Sequence, residues 1–99
     1  MPRPLLLALL LGACAQVSLG SLASQSQRRG EVEVAVKGAF PAILGEIEAG
    51  GGPALTRAFD AAGVPPSERA ARASQLDGDL GLYAANPGAL VAALLVFGG

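Results

Sequence analysis

Apolar positions along the chain fall into three regimes. Residues Leu5 to Leu11 are leucine throughout except for Ala8, behind the single basic residue Arg3. The following stretch, AQVSLGSLASQSQRRG, is rich in serine, glutamine and glycine and carries only scattered apolar side chains. From Glu31 onward apolar residues return at regular intervals. That change of pattern divides the chain into a leader over 1–13, a flexible tether over 14–30 and one folded unit over 31–99.

The first segment of the folded unit carries two periodicities at once. EVEVAVK alternates, with Val32, Val34 and Val36 set against charge and alanine, the pattern of a half-buried strand. Val36, Phe40, Ile43 and Ile47 instead recur at intervals of four, three and four residues, which lines one face of a helix. No later segment alternates or is rich in β-branched residues, so a strand here has no partner for its backbone groups. The spacing therefore predicts a helix over about Glu31–Glu48, bent near Pro41.

Punctuation divides the remainder. Gly50-Gly51-Gly52 ends that helix and Pro53 takes the first-turn position of the next, whose buried stripe is Leu55, Ala58, Phe59 and Ala62. Gly63 suits a left-handed cap, and Val64-Pro65-Pro66 turns the chain into a third helix from about Ser67. Ala70, Ala73, Leu76, Leu80 and Tyr83 keep helical spacing, with a break expected between Gly78 and Gly81. Asn86 caps a fourth helix that opens at Pro87. Leu90, Val91, Leu94, Leu95 and Phe97 give it two apolar sides, so it is expected to be the most buried, with a partner-binding or membrane-lying surface as the alternative. The fold class is all-α: a small bundle of three or four short helices after a signal peptide and flexible tether.

The leader is too short to cross a bilayer, which takes about 20 apolar residues, and has the profile of a signal peptide. At its end stands Leu11-Gly12-Ala13-Cys14, which holds the only cysteine in the chain. An aliphatic residue, two small residues and a cysteine resemble the lipobox of bacterial lipoproteins. The resemblance implies that Cys14 is the lipid attachment site, its thiol receiving a diacylglycerol. It also implies cleavage between Ala13 and Cys14 and acylation of the new amino terminus with palmitate-class chains. Two or three acyl chains at about 0.8 kcal/mol per buried methylene hold a protein on a membrane stably, whereas one does not. Retention at the inner membrane in that family goes with aspartate after the cysteine. Ala15 stands there instead, which implies the outer membrane, facing the periplasm. The alternative is an ordinary secretory signal, because Ala13-Cys14-Ala15 and Ser21-Leu22-Ala23 both satisfy a small-x-small cleavage pattern.

Composition narrows the function. The formal net charge is -1, so no electrostatic footprint for nucleic acid is present. Histidine is absent, which removes the usual general base near neutral pH and the commonest zinc ligand. Hydrophobic residues make up 52% of the chain but aromatics only 4%, and the abundant alanine predicts helices that pack close together. A unit this small is marginally stable alone and could complete its core by forming a homodimer.

Motif by motif, no catalytic constellation emerges. Gly50-Gly51-Gly52-Pro53 with Arg57 one turn on could cradle an anion, but lacks the strand before and the Lys-Ser/Thr after that define a P-loop, so a helix-helix turn is expected. Asp77-Gly78-Asp79 begins like a calcium loop, yet the twelfth position holds Gly88 where a bidentate glutamate belongs. Glu46 and Glu48, two apart, cannot share a helix face as an acid-base pair. Thr56 and the serines have no histidine to activate them. Arg28-Arg29 reads as the solvated end of the tether, with contact to anionic lipid as its alternative.

The segments EIEAGGGPALTRAFDAAGVPPSER and LYAANPGALVAALLV resemble small exported proteins of Gram-negative bacteria. The resemblance implies export and carries no activity or site residues. The expectation is a lipid-anchored envelope protein without cofactor, metal or enzymatic activity, a binding or structural module whose partner is the membrane and another envelope protein or a second copy. The competing expectation is a soluble periplasmic or secreted protein, such as a small carrier of apolar ligands.

Overall fold

The computed structural model describes residues 23–99, and over that range the chain forms a bundle of six helices with no strand. Among the described residues, helix α1 runs over 23–38. It is followed by α2 (Ala42–Ala49), α3 (Pro53–Ala62), a 3-10 turn (Pro66–Glu68), α4 (Arg69–Gly78), α5 (Leu80–Ala85) and α6 (Pro87–Gly98). The leader, and with it Ala13 and Cys14, lies outside the described residues.

The ambiguous EVEVAVK segment is helical. Val32 and Val36 are fully buried while Val34 is 75% exposed. A strand would place all three valines on one face; a helix turns Val34 about 200° away from Val32, as observed. The helix also starts before Glu31. Residues 23–30, read from sequence as tether, are helical and solvent-exposed. Ala23, Gln25, Gln27, Arg28 and Arg29 are good helix formers, and once the turn at Val32 and Val36 is packed, each added residue costs only propagation. Serine and Gly30 masked this in the sequence.

Pro41 breaks the long predicted helix in two, since proline lacks the amide donor that the next turn needs and disfavours helix in the residue before it. The Phe40-Pro41 bond is cis, and Ile43 N-H donates to the Ala39 carbonyl at 3.0 Å as α2 begins. The other boundary expectations hold. Asn86 accepts from the Ala89 amide at 3.3 Å to cap α6, and α4 ends at Gly78, with Asp79 separating it from α5.

The turn after α2 explains its three glycines. Gly50 is left-handed, with φ 90°. The Gly50 and Gly51 amides donate to the Ile47 and Glu46 carbonyls at 3.1 and 2.8 Å, closing the helix end with paired backbone bonds. Gly52 then lies under the Glu46 side chain, where any Cβ would overlap it. From there the Glu46 carboxylate accepts the Leu55 amide at 3.0 Å, capping α3 from the neighbouring helix. Gly52→Ala should dislodge that carboxylate at a cost of about 1 kcal/mol, lowering the melting temperature by roughly 4–8 °C. Glu46→Gln keeps an acceptor and should cost less than Gly52→Ala in the same thermal melt; equal losses would refute the capping role.

The core is continuous from α1 to α6. Ile43 and Ile47 of α2, Leu55, Ala58, Phe59 and Ala62 of α3, Ala73 and Leu76 of α4, Tyr83 of α5 and Leu90, Val91 and Leu94 of α6 are all buried. Helix α2 packs on α3, α4 and α5, and α6 packs on α3 and α5. Alanine permits the close approach: Ala58 and Ala62 are fully buried, and at the end of α6 a Cβ on Gly98 would overlap the Ala62 carbonyl.

Helix α6 is not the most buried element. Five of the ten residues of α3 are buried against three of the twelve of α6. Leu90, Val91 and Leu94 are in the core, Leu95 and Phe97 pack against it half-buried, and Val96, on the remaining face, is 77% exposed.

Candidate functional site

The exposed side of α6 carries the surface features that most resemble a binding site. Two open grooves flank it. The first, of about 440 Å³, runs between α1 and α6, with Gln25, Ser26, Arg28 and Arg29 along one wall and Ala92, Leu95, Val96 and Gly99 along the other. The second, of about 480 Å³, lies toward α4 and α5 and is bounded by Gln75, Asp79, Tyr83, Ala93, Val96 and Phe97. Val96 belongs to both, so it stands on the ridge between them.

Charge is divided between the grooves. The first has two arginines on its wall, neither of which forms an ion pair with an acidic side chain among the described residues. The Arg28 guanidinium lies 4.0 Å from the position a Cβ on Gly63 would take, and the Gly98 carbonyl 3.9 Å from it. Arg28 thus stands by the carboxyl ends of α3 and α6, where helix dipoles favour a cation. In the second groove, burial pushes the Tyr83 phenol above its usual pKa, and the charge of Asp79 adds to the effect. Arg72 stacks on the Phe97 ring at 4.6 Å and reaches Gln75 at 2.9 Å, tying α4 to the end of α6.

The candidate chemistry of the sequence resolves into structural roles. At the glycine turn an anion is indeed held at the start of α3, but it is the chain's own Glu46 carboxylate. Glu48 is exposed and takes no part. Asp77 and Asp79 lie exposed at the α4–α5 interruption, where the Asp79 carbonyl accepts from the Leu82 amide at 3.0 Å. No group of three or more potential metal ligands occurs among the described residues. Thr56 is exposed on α3.

Three arrangements were not anticipated from sequence. Glu46 as a cap on a neighbouring helix had no signal, because capping patterns are local and this one spans nine residues and a turn. Arg69 clamps the α3–α4 corner, donating from Nε and Nη2 to the Val64 carbonyl at 3.1 and 2.9 Å and to Asp60 at 2.7 Å. The groove wall at Arg28 and Arg29 had a signal, the paired arginines, but reading them as linker removed the helix that aligns them with α6. None of the described helices is long and apolar enough to cross a membrane. Comparison with protein-family models, with curated proteins and with solved structures finds no match to this chain.

Proposed function

We propose that this chain is a lipid-anchored envelope protein of a Gram-negative bacterium, cleaved before Cys14, acylated there, and held on the periplasmic face of the outer membrane. Its helical bundle works as a non-enzymatic binding or structural module. The observation that carries the reading is Leu11-Gly12-Ala13-Cys14 directly behind a leucine run. A thiolate is the nucleophile that thioether formation needs, and small residues before it suit passage of the backbone through a peptidase. Supporting it, the hydrogen-bonded polar side chains Glu46, Arg69 and Asn86 all serve helix ends and corners. That is the chemistry of a scaffold.

Geometry sets the reach of such an anchor. Residues 15–22 separate Cys14 from the first described turn of α1. Even fully extended they span about 30 Å, so the first described turn of α1 stays within that distance of the lipid surface.

Metabolic labelling with a clickable fatty acid tests the reading. The wild-type chain should incorporate the label and Cys14→Ser should lose it completely, together with its recovery in the membrane fraction. An exported wild-type chain that takes no label would instead favour the soluble periplasmic or secreted protein.

A further inference from the structure

We infer that the end of the bundle formed by the first described turns of α1 and the last turns of α6 rests on anionic phospholipid, with Arg28 and Arg29 meeting headgroup phosphates and Val96 entering the interface. This deepens the envelope reading above, because it assigns the lipid-facing surface of the same module.

Three observations converge on this surface. Arg28 and Arg29 lie in one groove wall opposite Ala92, Leu95 and Val96, so cationic and apolar groups share a single face. That pairing fits an interface where phosphates lie just above acyl chains. Among the described residues, neither arginine forms an ion pair with an acidic side chain; Arg69 and Arg72 do, with Asp60 and Glu68, and Arg57, away on α3, does not. Arginine suits this role because its planar fork binds phosphate oxygens in pairs. Val96, 77% exposed on the ridge, is the most exposed large apolar side chain of the described residues and borders the same groove.

Connectivity gives the occupant. The chain that enters α1 comes from Cys14, within about 30 Å of extended backbone, so this end is the part of the bundle an anchored protein holds closest to the bilayer. The opposite charge on the other groove, at Asp79, leaves the arginine side as the one complementary to anionic lipid. Surface lysine or arginine near such a membrane strengthens partitioning by about fivefold each.

The test is partitioning of the full, unacylated chain onto vesicles of phosphatidylcholine alone and of phosphatidylcholine with phosphatidylglycerol. The leader and Arg3 are common to every variant, so they cancel when variants are compared. The anionic-over-neutral ratio should fall by about twenty- to thirtyfold in Arg28→Gln/Arg29→Gln, and by about fivefold in Arg29→Gln alone. Val96→Glu, at an exposed site, should lower binding to the anionic vesicles while leaving the helical circular dichroism spectrum unchanged. Added salt should weaken the wild-type chain toward the double variant.

Equal ratios for wild type and both arginine variants would overturn the proposal. So would concentration-dependent self-association that Val96→Glu abolishes without any effect on vesicle binding, which would give the ridge to a second copy. Because the assay uses no acyl chain, its failure would leave the Cys14 labelling result standing.

Discussion

Ile43→Ala is expected to lose about 2–5 kcal/mol of folding stability, enough to leave a bundle of this size largely unfolded near physiological temperature. Ile43 is fully buried on α2, the helix that packs on α3, α4 and α5. Removing three of its carbons leaves a void that three neighbours must close at once, and a packed interior relaxes only in part. Small domains bury a smaller share of their surface than large ones, so they have little stability in reserve. Val34→Ala is the matched control. Its side chain is 75% exposed, and alanine is the better helix former, so the change should be neutral or slightly stabilising. Chemical denaturation of the two variants separates the helix from the strand reading of EVEVAVK: in an alternating strand Val34 would be as costly to truncate as Val32 and Val36.

Arg69→Ala carries the second large effect, about 2 kcal/mol. Its guanidinium is bonded through two nitrogens to the carbonyl of Val64, a residue only 1% exposed, and removal leaves that acceptor without its partner. The ion pair with Asp60 is shorter, at 2.7 Å, but the Asp60 side chain is 63% exposed, so screening keeps its share below about 1 kcal/mol. The ring of Phe59, 5.8 Å from the guanidinium, adds a modest stacking contribution. Asp60→Ala should therefore cost much less than Arg69→Ala, and Arg69→Lys should recover less than half of the loss, because an ammonium cannot donate from two fixed nitrogens. Denaturation midpoints of the three variants check the order. An Asp60→Ala loss as large as that of Arg69→Ala would show that the ion pair, rather than the carbonyl clamp, holds the corner.

How far the fold was legible follows from where its information lies. The stripe Leu55, Ala58, Phe59 and Ala62, the cap at Asn86 and the stops at Gly50 and Gly63 are local signals, and the structure places them as the sequence predicts. The helical state of residues 23–30 was not legible, because Ser24, Ser26 and Gly30 look like linker until the buried turn at Val32 and Val36 supplies a nucleus. The burial of α6 was overestimated for a different reason. Leu90, Val91, Leu94, Leu95 and Phe97 all lie in or against the core, but spacing shows where apolar residues point and not how completely the rest of the chain covers them, so Leu95 and Phe97 are only half-buried and Val96 faces solvent. The grooves beside α6 were illegible as sites, since each joins residues from opposite ends of the sequence. The proposed attachment at Cys14 rests on sequence alone, because Cys14 lies outside the described residues.

Glu46, Arg69 and Asn86 hold helix ends and corners, and the surface proposed to face lipid is the α1–α6 end. Placing that end at a lipid surface depends on what happens to the thiol ahead of it. Intact-mass and amino-terminal peptide mass spectrometry of the mature protein, isolated from an exporting bacterial host, measures this directly. The account predicts a chain that begins at Cys14 and carries the mass of two or three fatty acyl groups on that residue. A mature chain that begins after Cys14 and bears no acyl group would contradict it.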